Sequence, residues 1–159
     1  MNLSKSLTSL AAGLAFVAGP AHAQNATSGS STATNNSTAS DHYTFSLSDQ
    51  VTRQKLSFVN RYGIRLTGDL YAPKNHEGKT LPALAVGGPF GAVKEQSSGL
   101  YANTMAARGF VTLAFDASYT GESSGEPRNV ASPDINTEDV SAAVDALGLQ
   151  PSVDRERIG

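Results

Sequence analysis

The spacing of hydrophobic positions changes along the chain, and each region therefore predicts a different element. Apolar and polar residues alternate in residues 54–60 and 64–71, as they do in strands with one buried face. Residues 61–63 connect these segments, and Gly63 can adopt the positive φ that a tight turn requires. The pattern predicts an antiparallel hairpin with one apolar face.

Two later segments are apolar without alternation. Residues 81–86 and 110–117 therefore predict strands of a parallel sheet with both faces buried. Between them we expect a helix with Ser98 as N-cap and a C-terminal stop of Schellman type at Gly109 and Phe110. The predicted apolar stripe of this helix comprises Leu100, Tyr101, Thr104 and Met105.

A second helix is expected after a long loop. Asn136 is its predicted N-cap, Asp139 stands at the third helical position, and Gly148 ends it. The apolar stripe of this helix comprises Val140, Val144 and Leu147. Residues 157–159 would begin a further buried strand in the middle of the sheet. The order of these elements predicts an α/β fold in which a hairpin precedes parallel strands with right-handed crossover helices.

The first 40 residues have a different character. Residues 1–23 contain a basic Lys5, an apolar run over 7–18 and the small-x-small site of residues 21–23, which is the layout of a secretory signal peptide. The run is short for a bilayer crossing, so no stable membrane anchor is expected after cleavage before Gln24. Residues 24–40 are rich in Ser, Thr, Asn and Ala and predict a disordered tail. The folded domain is expected over 41–159, and the protein is predicted to be periplasmic or secreted.

Composition excludes several classes of function. The 12 basic and 14 acidic residues give a net charge of −2 without a basic stripe, which argues against a nucleic-acid partner. Cysteine is absent, and none of the three histidines stands at metal-ligand spacing. We therefore expect no metal and no cofactor.

Three segments carry a resemblance to a known family. They are residues 66–73 (LTGDLYAP), residues 87–96 (GGPFGAVKEQ) and residues 116–125 (DASYTGESSG). In order and spacing they resemble the N-terminal part of an α/β-hydrolase of the dienelactone-hydrolase-like and X-Pro dipeptidyl-peptidase-like group, over residues 51–159. The resemblance implies a hydrolase that attacks an ester, lactone or peptide carbonyl, with a small molecule or a peptide as substrate.

In this family the loop after the third strand supplies a backbone N–H to the oxyanion hole. Pro89 has no N–H, so the resemblance assigns this role first to Phe90 and second to Gly91. An alternative interpretation is that Gly87, Gly88 and Gly91 only allow the chain to turn between strand and helix.

Residues 121–125 match the nucleophile-elbow pattern G-x-S-x-G, with Ser123 at its centre. An elbow needs a strand directly before it and a helix directly after it, but Pro127 follows closely and Asp116 is where the strand ends. Ser123 is therefore a weak candidate for the nucleophile. We expect Asp116, together with Gly121 and Gly125, to have a structural role, in which Asp116 accepts N–H bonds from the loop.

Without a nucleophile, a triad acid and a catalytic histidine, these 159 residues are expected to be an inactive fragment or a truncated member, ending before the nucleophile strand. The full-length member would be a serine- or cysteine-type hydrolase. Two alternatives are a secreted binding module without catalysis and a truncated reading frame without native function. An exposed sheet edge would also favour self-association.

Overall fold

The computed structural model describes residues 42–76 and 78–159. The predicted signal peptide and the whole of the predicted tail lie outside the described residues. Within them, no helix has the length and apolarity needed to cross a bilayer. The elements, in chain order, are β1 (Val51–Val59), β2 (Arg65–Pro73), β3 (Leu81–Val86), α1 (Ser97–Ala107), β4 (Val111–Phe115), α2 (Pro133–Gly148) and β5 (Val153–Ile158).

The strands form a mixed five-stranded sheet in the order β1-β2-β4-β3-β5. β1 and β2 are the predicted antiparallel hairpin, and Gly63 in its turn has a φ of +76°. β2 also pairs antiparallel with β4, whereas β3 pairs parallel with both β4 and β5. The sheet and its two helices confirm the predicted α/β fold class.

The parallel strands differ in burial. Every residue of β4 is buried, as predicted, but β3 is mostly half-buried, so its predicted burial on both faces is wrong. The described elements cover β4 completely and β3 only partly. β5 begins at Val153, four residues before the predicted start at Arg157, and among the described strands it contacts β3 alone.

Helix α1 ends as predicted but begins and packs differently. Its C-terminus is a Schellman motif, in which the Phe110 N–H donates to the Met105 carbonyl and the Gly109 N–H to the Ala106 carbonyl. Gln96, not Ser98, is the N-cap. The predicted stripe is wrong, because Leu100 and Tyr101 are about half exposed. The buried residues of α1 are instead Ser98, Gly99, Ala102, Asn103 and Ala106. Of these, the small Ala102 and Ala106 pack against the sheet.

Helix α2 starts four residues earlier than predicted. Its N-cap is Ser132, followed by Pro133 in the first turn, where proline costs no hydrogen bond. Asn136 lies inside the helix and does not cap it. Asp139 is fully buried inside the helix rather than at its third position, and Val140 is exposed. Ala142, Ala143, Ala146 and Leu147 form the buried face.

The two helices cover opposite faces of the sheet. On one face, Leu113 and Phe115 of β4 pack with Ala143 and Leu147 of α2. On the other face, Ala114 packs with the alanines of α1. Because successive strand residues point to opposite faces, one short strand serves both cores.

Candidate active site

A cavity of about 140 Å³ opens at the carboxyl ends of β3 and β4. These strands are neighbours, but they lead into helices on opposite faces of the sheet. Loops diverge at such a point and leave a crevice, which is where α/β sheets bind ligands. The cavity is lined by Gly87, Gly88, Pro89, Phe90, Gly91, Ala92, Phe115, Ala117, Ser118, Thr120, Val130, Ala131, Asn136 and Val140.

A tight turn over residues 89–92 forms one wall. The Ala92 N–H donates to the Pro89 carbonyl over 3.0 Å. Gly91 has a φ of +78°, the value of the third residue in a type II turn, whereas Gly87 and Gly88 adopt no positive φ. Within residues 42–76 and 78–159, neither the Phe90 nor the Gly91 N–H donates to a protein acceptor. Two backbone donors without a described acceptor therefore lie beside the cavity.

The residues that line the cavity carry no charge. Ser118 and Thr120 contribute hydroxyl groups and Asn136 an amide, while the remaining lining residues are glycine, alanine, proline or larger apolar residues. Phe90 is 76% exposed, and Val130 and Val140 are also exposed. A lining of small residues, larger apolar residues and a few neutral polar groups is suited to an uncharged organic ligand.

Asp116, directly after β4, connects the loops around the cavity. Its buried carboxylate accepts the Lys94 N–H at 2.8 Å, the Glu122 N–H at 2.9 Å and the Lys94 ammonium at 2.9 Å. The Glu122 contact is of the kind that the sequence predicts for Asp116. In the described part of the chain this carboxylate forms no hydrogen bond with a histidine. These contacts join the loop after β3 to the loop after β4 at Asp116.

Two glycines allow the loop over 117–125 to fold around its neighbours. Gly121 has a φ of +53°, and a Cβ there would lie 2.3 Å from the Asp116 carboxylate. Gly125 has a φ of +114°, and its Cβ would lie 2.4 Å from the Tyr119 ring. Both positions require glycine for conformation and for space.

Lys94 is a site residue that sequence analysis missed. Its side chain is 0% exposed, and its ammonium lies 2.6 Å from Glu95, 2.9 Å from Asp116 and 2.7 Å from Glu122. The only sequence signal is a lone cation after the uncharged residues 81–93, and loop lysines are ordinarily solvated. The contact with Asp116, 22 residues away, becomes visible only in the folded chain.

This cluster shifts the pKa values of its members. Burial acts to lower the pKa of Lys94, but hydrogen bonds with Glu122, Glu95 and Asp116 outweigh it, and the pKa is raised. Hydrogen bonds from Lys55 and Lys94 lower the pKa of Glu122 to about 2. The lysine is therefore a permanent cation and Glu122 a carboxylate at neutral pH.

Ser123 lies in the interior and is only 2% exposed. Its hydroxyl donates to the Asp116 carbonyl at 2.7 Å and accepts the Thr67 N–H at 3.0 Å. The strand before it ends at Phe115, and no helix follows directly. The structure thus gives Ser123 a cross-linking role between β2 and the loop, without the geometry of a nucleophile elbow.

We expect Ser123→Ala to lower the free energy of unfolding by about 1–3 kcal/mol, because it leaves two buried backbone groups unpaired. In protein from the complete reading frame, the substitution should leave labelling by a fluorophosphonate probe unchanged. Denaturant unfolding measures the first effect and gel-based labelling the second. Ser141→Ala, on the exposed face of α2, is the control and should change stability by about 0.5 kcal/mol or less. Labelling of the 159-residue chain that disappears in Ser123→Ala would contradict this assignment.

Other titratable groups lie away from the cavity lining. Asp139 accepts hydrogen bonds from Asn60 and from the Ser118 N–H and hydroxyl, at 2.7–2.8 Å, and so holds Ser118 at the cavity wall. His76 contacts the Pro73 carbonyl and lines a separate surface depression. Among the described residues, no cluster of His, Asp and Glu could hold a metal ion.

Residues 62–159 match the family described as X-Pro dipeptidyl-peptidase (S15 family). The chain belongs to this family. The match includes all three segments that carry the resemblance, residues 66–73, 87–96 and 116–125.

The chain is similar to a bacterial and a fungal relative. The uncharacterized protein PA2218 of Pseudomonas aeruginosa is 72% identical over 116 residues, which are 73% of this chain and 31% of the relative. The thiohydrolase AneE of Aspergillus aculeatus is 34% identical over 111 residues, 70% of this chain and 34% of the relative. The chain thus spans about a third of the length of these relatives.

Solved structures confirm the fold. The crystal structure of PA2218 superposes with a TM-score of 0.73 at 71% identity, over 76% of this chain and 37% of that one. The α/β hydrolase GrgF from a Penicillium species superposes with a TM-score of 0.59 at 27% identity, over 67% and 36% of the two chains. The predicted resemblance to the α/β-hydrolase superfamily and to its X-Pro dipeptidyl-peptidase-like group is confirmed.

Proposed function

We propose that the whole protein is a hydrolase that cleaves an ester, a lactone or a peptide by nucleophilic attack on its carbonyl carbon. The observation that carries the proposal is the turn over residues 89–92, which leaves the Phe90 and Gly91 N–H groups without a described protein acceptor beside an uncharged cavity. The α/β-hydrolase fold and the membership of the S15 family support it. The name of the relative AneE, a thiohydrolase, adds a thioester to the candidate substrates.

In this proposal the substrate carbonyl carbon changes from planar to tetrahedral as the nucleophile adds, and its oxygen becomes an oxyanion. The Phe90 N–H, with Gly91 as the second candidate, donates to that oxygen and stabilises its charge more strongly than that of the ground-state carbonyl. We assign the nucleophile, the triad acid and the histidine to parts of the whole protein outside the residues described. Residues 42–159 contribute the oxyanion donors and one wall of the pocket.

The test uses protein expressed from its complete reading frame. Hydrolysis of p-nitrophenyl acetate, a thioester and an X-Pro p-nitroanilide would be measured together with labelling by a fluorophosphonate. Turnover of at least one substrate, blocked by the probe or by a thiol reagent, is the expected result. A folded protein that turns over none of them would contradict the proposal and favour the secreted binding module.

We also propose that the protein is exported, on the basis of Lys5, the apolar run over 7–18 and the small-x-small site of residues 21–23. The mature protein should then begin at Gln24 and occur in the periplasm or the medium. Intact-mass measurement on fractionated cells checks this. A cytosolic species that retains Met1 would contradict it.

A further inference from the structure

The side chain of Lys94 lies between the two loops that line the cavity. Lys94 belongs to the loop after β3, and its partners Asp116 and Glu122 belong to the segment after β4. Lys94 makes two contacts with Asp116, because Asp116 also accepts the Lys94 backbone N–H at 2.8 Å. One residue therefore fixes both its own main chain and its side chain to the end of the neighbouring strand.

A fully buried ammonium is costly unless its donors are satisfied. Lys94 has three donors and three carboxylate partners, at 2.6, 2.7 and 2.9 Å. Removing the ammonium would leave the buried Asp116 with backbone donors alone, and the carboxylates of Glu95 and Glu122 would repel it. The arrangement therefore holds together only while Lys94 is present.

The turn over residues 89–92 has few other attachments. Its described internal hydrogen bond joins Ala92 to Pro89, and Phe90 is exposed. On one side the chain is fixed where β3 ends at Val86. On the other side the first described hydrogen bond to the segment after β4 is that of Lys94, three residues after Gly91. The two fixed ends of this segment therefore set the position of the turn relative to the cavity, and Lys94 fixes one of these ends.

We propose that Lys94 is a positioning residue, which acts through Asp116 to hold the Phe90 and Gly91 N–H groups at the distance that the oxyanion needs. This rests on the proposed function of that turn. Misplacement of a catalytic group by about 1 Å can cost about 100-fold in rate. Lys94 does not line the cavity, so substrate affinity should not depend on it directly.

The test compares Lys94→Met with Asp116→Asn in protein from the complete reading frame. Asp116→Asn keeps the size of the side chain and remains informative if Lys94→Met does not fold. We expect both variants to lower kcat about 10- to 100-fold with KM changed less than about threefold. Arg61→Met deletes an ion pair to Glu138 elsewhere, and it should leave both constants unchanged.

Hydrogen–deuterium exchange of residues 92–94, whose N–H groups all donate hydrogen bonds, gives a second measurement that needs no activity. We expect faster exchange there in Lys94→Met and in Asp116→Asn, with exchange in α2 unchanged. If the wild type hydrolyses nothing, the proposed function fails, while the exchange data still decide the role of Lys94. Unchanged kcat and unchanged exchange in a folded Asp116→Asn variant would overturn the inference, as would an equal loss of kcat in Arg61→Met.

Discussion

Replacing Phe90 by proline is expected to lower kcat for ester hydrolysis by about 100- to 1000-fold, the usual effect of losing one oxyanion donor. Proline has no N–H, so the substitution deletes the donor itself. It should preserve the turn, because Phe90 occupies the second position of a turn whose third residue, Gly91, has positive φ, and proline is favoured at that second position. The measurement is steady-state hydrolysis by protein from the complete reading frame.

Phe90→Ala is the matched control. It retains the N–H and removes only a ring that is 76% exposed, so kcat should change by no more than about twofold. In Phe90→Pro, kcat and kcat/KM should fall together, because the lost hydrogen bond is made in the transition state. Equal losses in the two variants would assign the effect to the ring. If kcat were unchanged in both variants, Gly91 rather than Phe90 would be assigned as the oxyanion donor.

Local sequence signals predicted those parts of the fold that depend on neighbouring residues. The hairpin turn at Gly63 and the Schellman motif at Gly109 each follow from the conformational freedom of one glycine, and both are present. The helix faces could not be predicted in this way. The side of α1 that contacts the sheet is decided by how closely the helix can approach, and this favours Ala102 and Ala106 over the larger Leu100.

The candidate site was predicted only in part. Its location followed from the glycines after β3, and Asp116 was expected to bond with the loop after β4. The pairing of Asp116 with Lys94 joins residues from two loops that become neighbours only when β3 and β4 pair. A buried lysine has no local signature, since the same residue in a loop would ordinarily be solvated. Long-range electrostatics is thus the part of the site that required the structure.

A second large effect is expected at Gly99, in the first turn of α1. Alanine is normally favoured over glycine within a helix by about 1 kcal/mol. Here a Cβ would lie 2.1 Å from the Lys94 carbonyl oxygen and 2.9 Å from the Phe45 ring. Because the closer atom belongs to the backbone, it cannot rotate away. We therefore expect Gly99→Ala to lower the free energy of unfolding by about 3 kcal/mol, the upper part of the range for overpacked sites.

Gly148→Ala, at the end of α2, separates the clash from the helix propensity. Its Cβ would meet the Ile158 side chain at 3.8 Å, an ordinary contact, and Gly148 has no positive φ. This variant should gain about 0.5–1 kcal/mol, since alanine loses less backbone entropy than glycine. Denaturant unfolding of both variants decides the matter. If Gly99→Ala were as stable as Gly148→Ala, α1 could move away from the Lys94 carbonyl at little cost, and the close packing at the start of this helix would not require glycine.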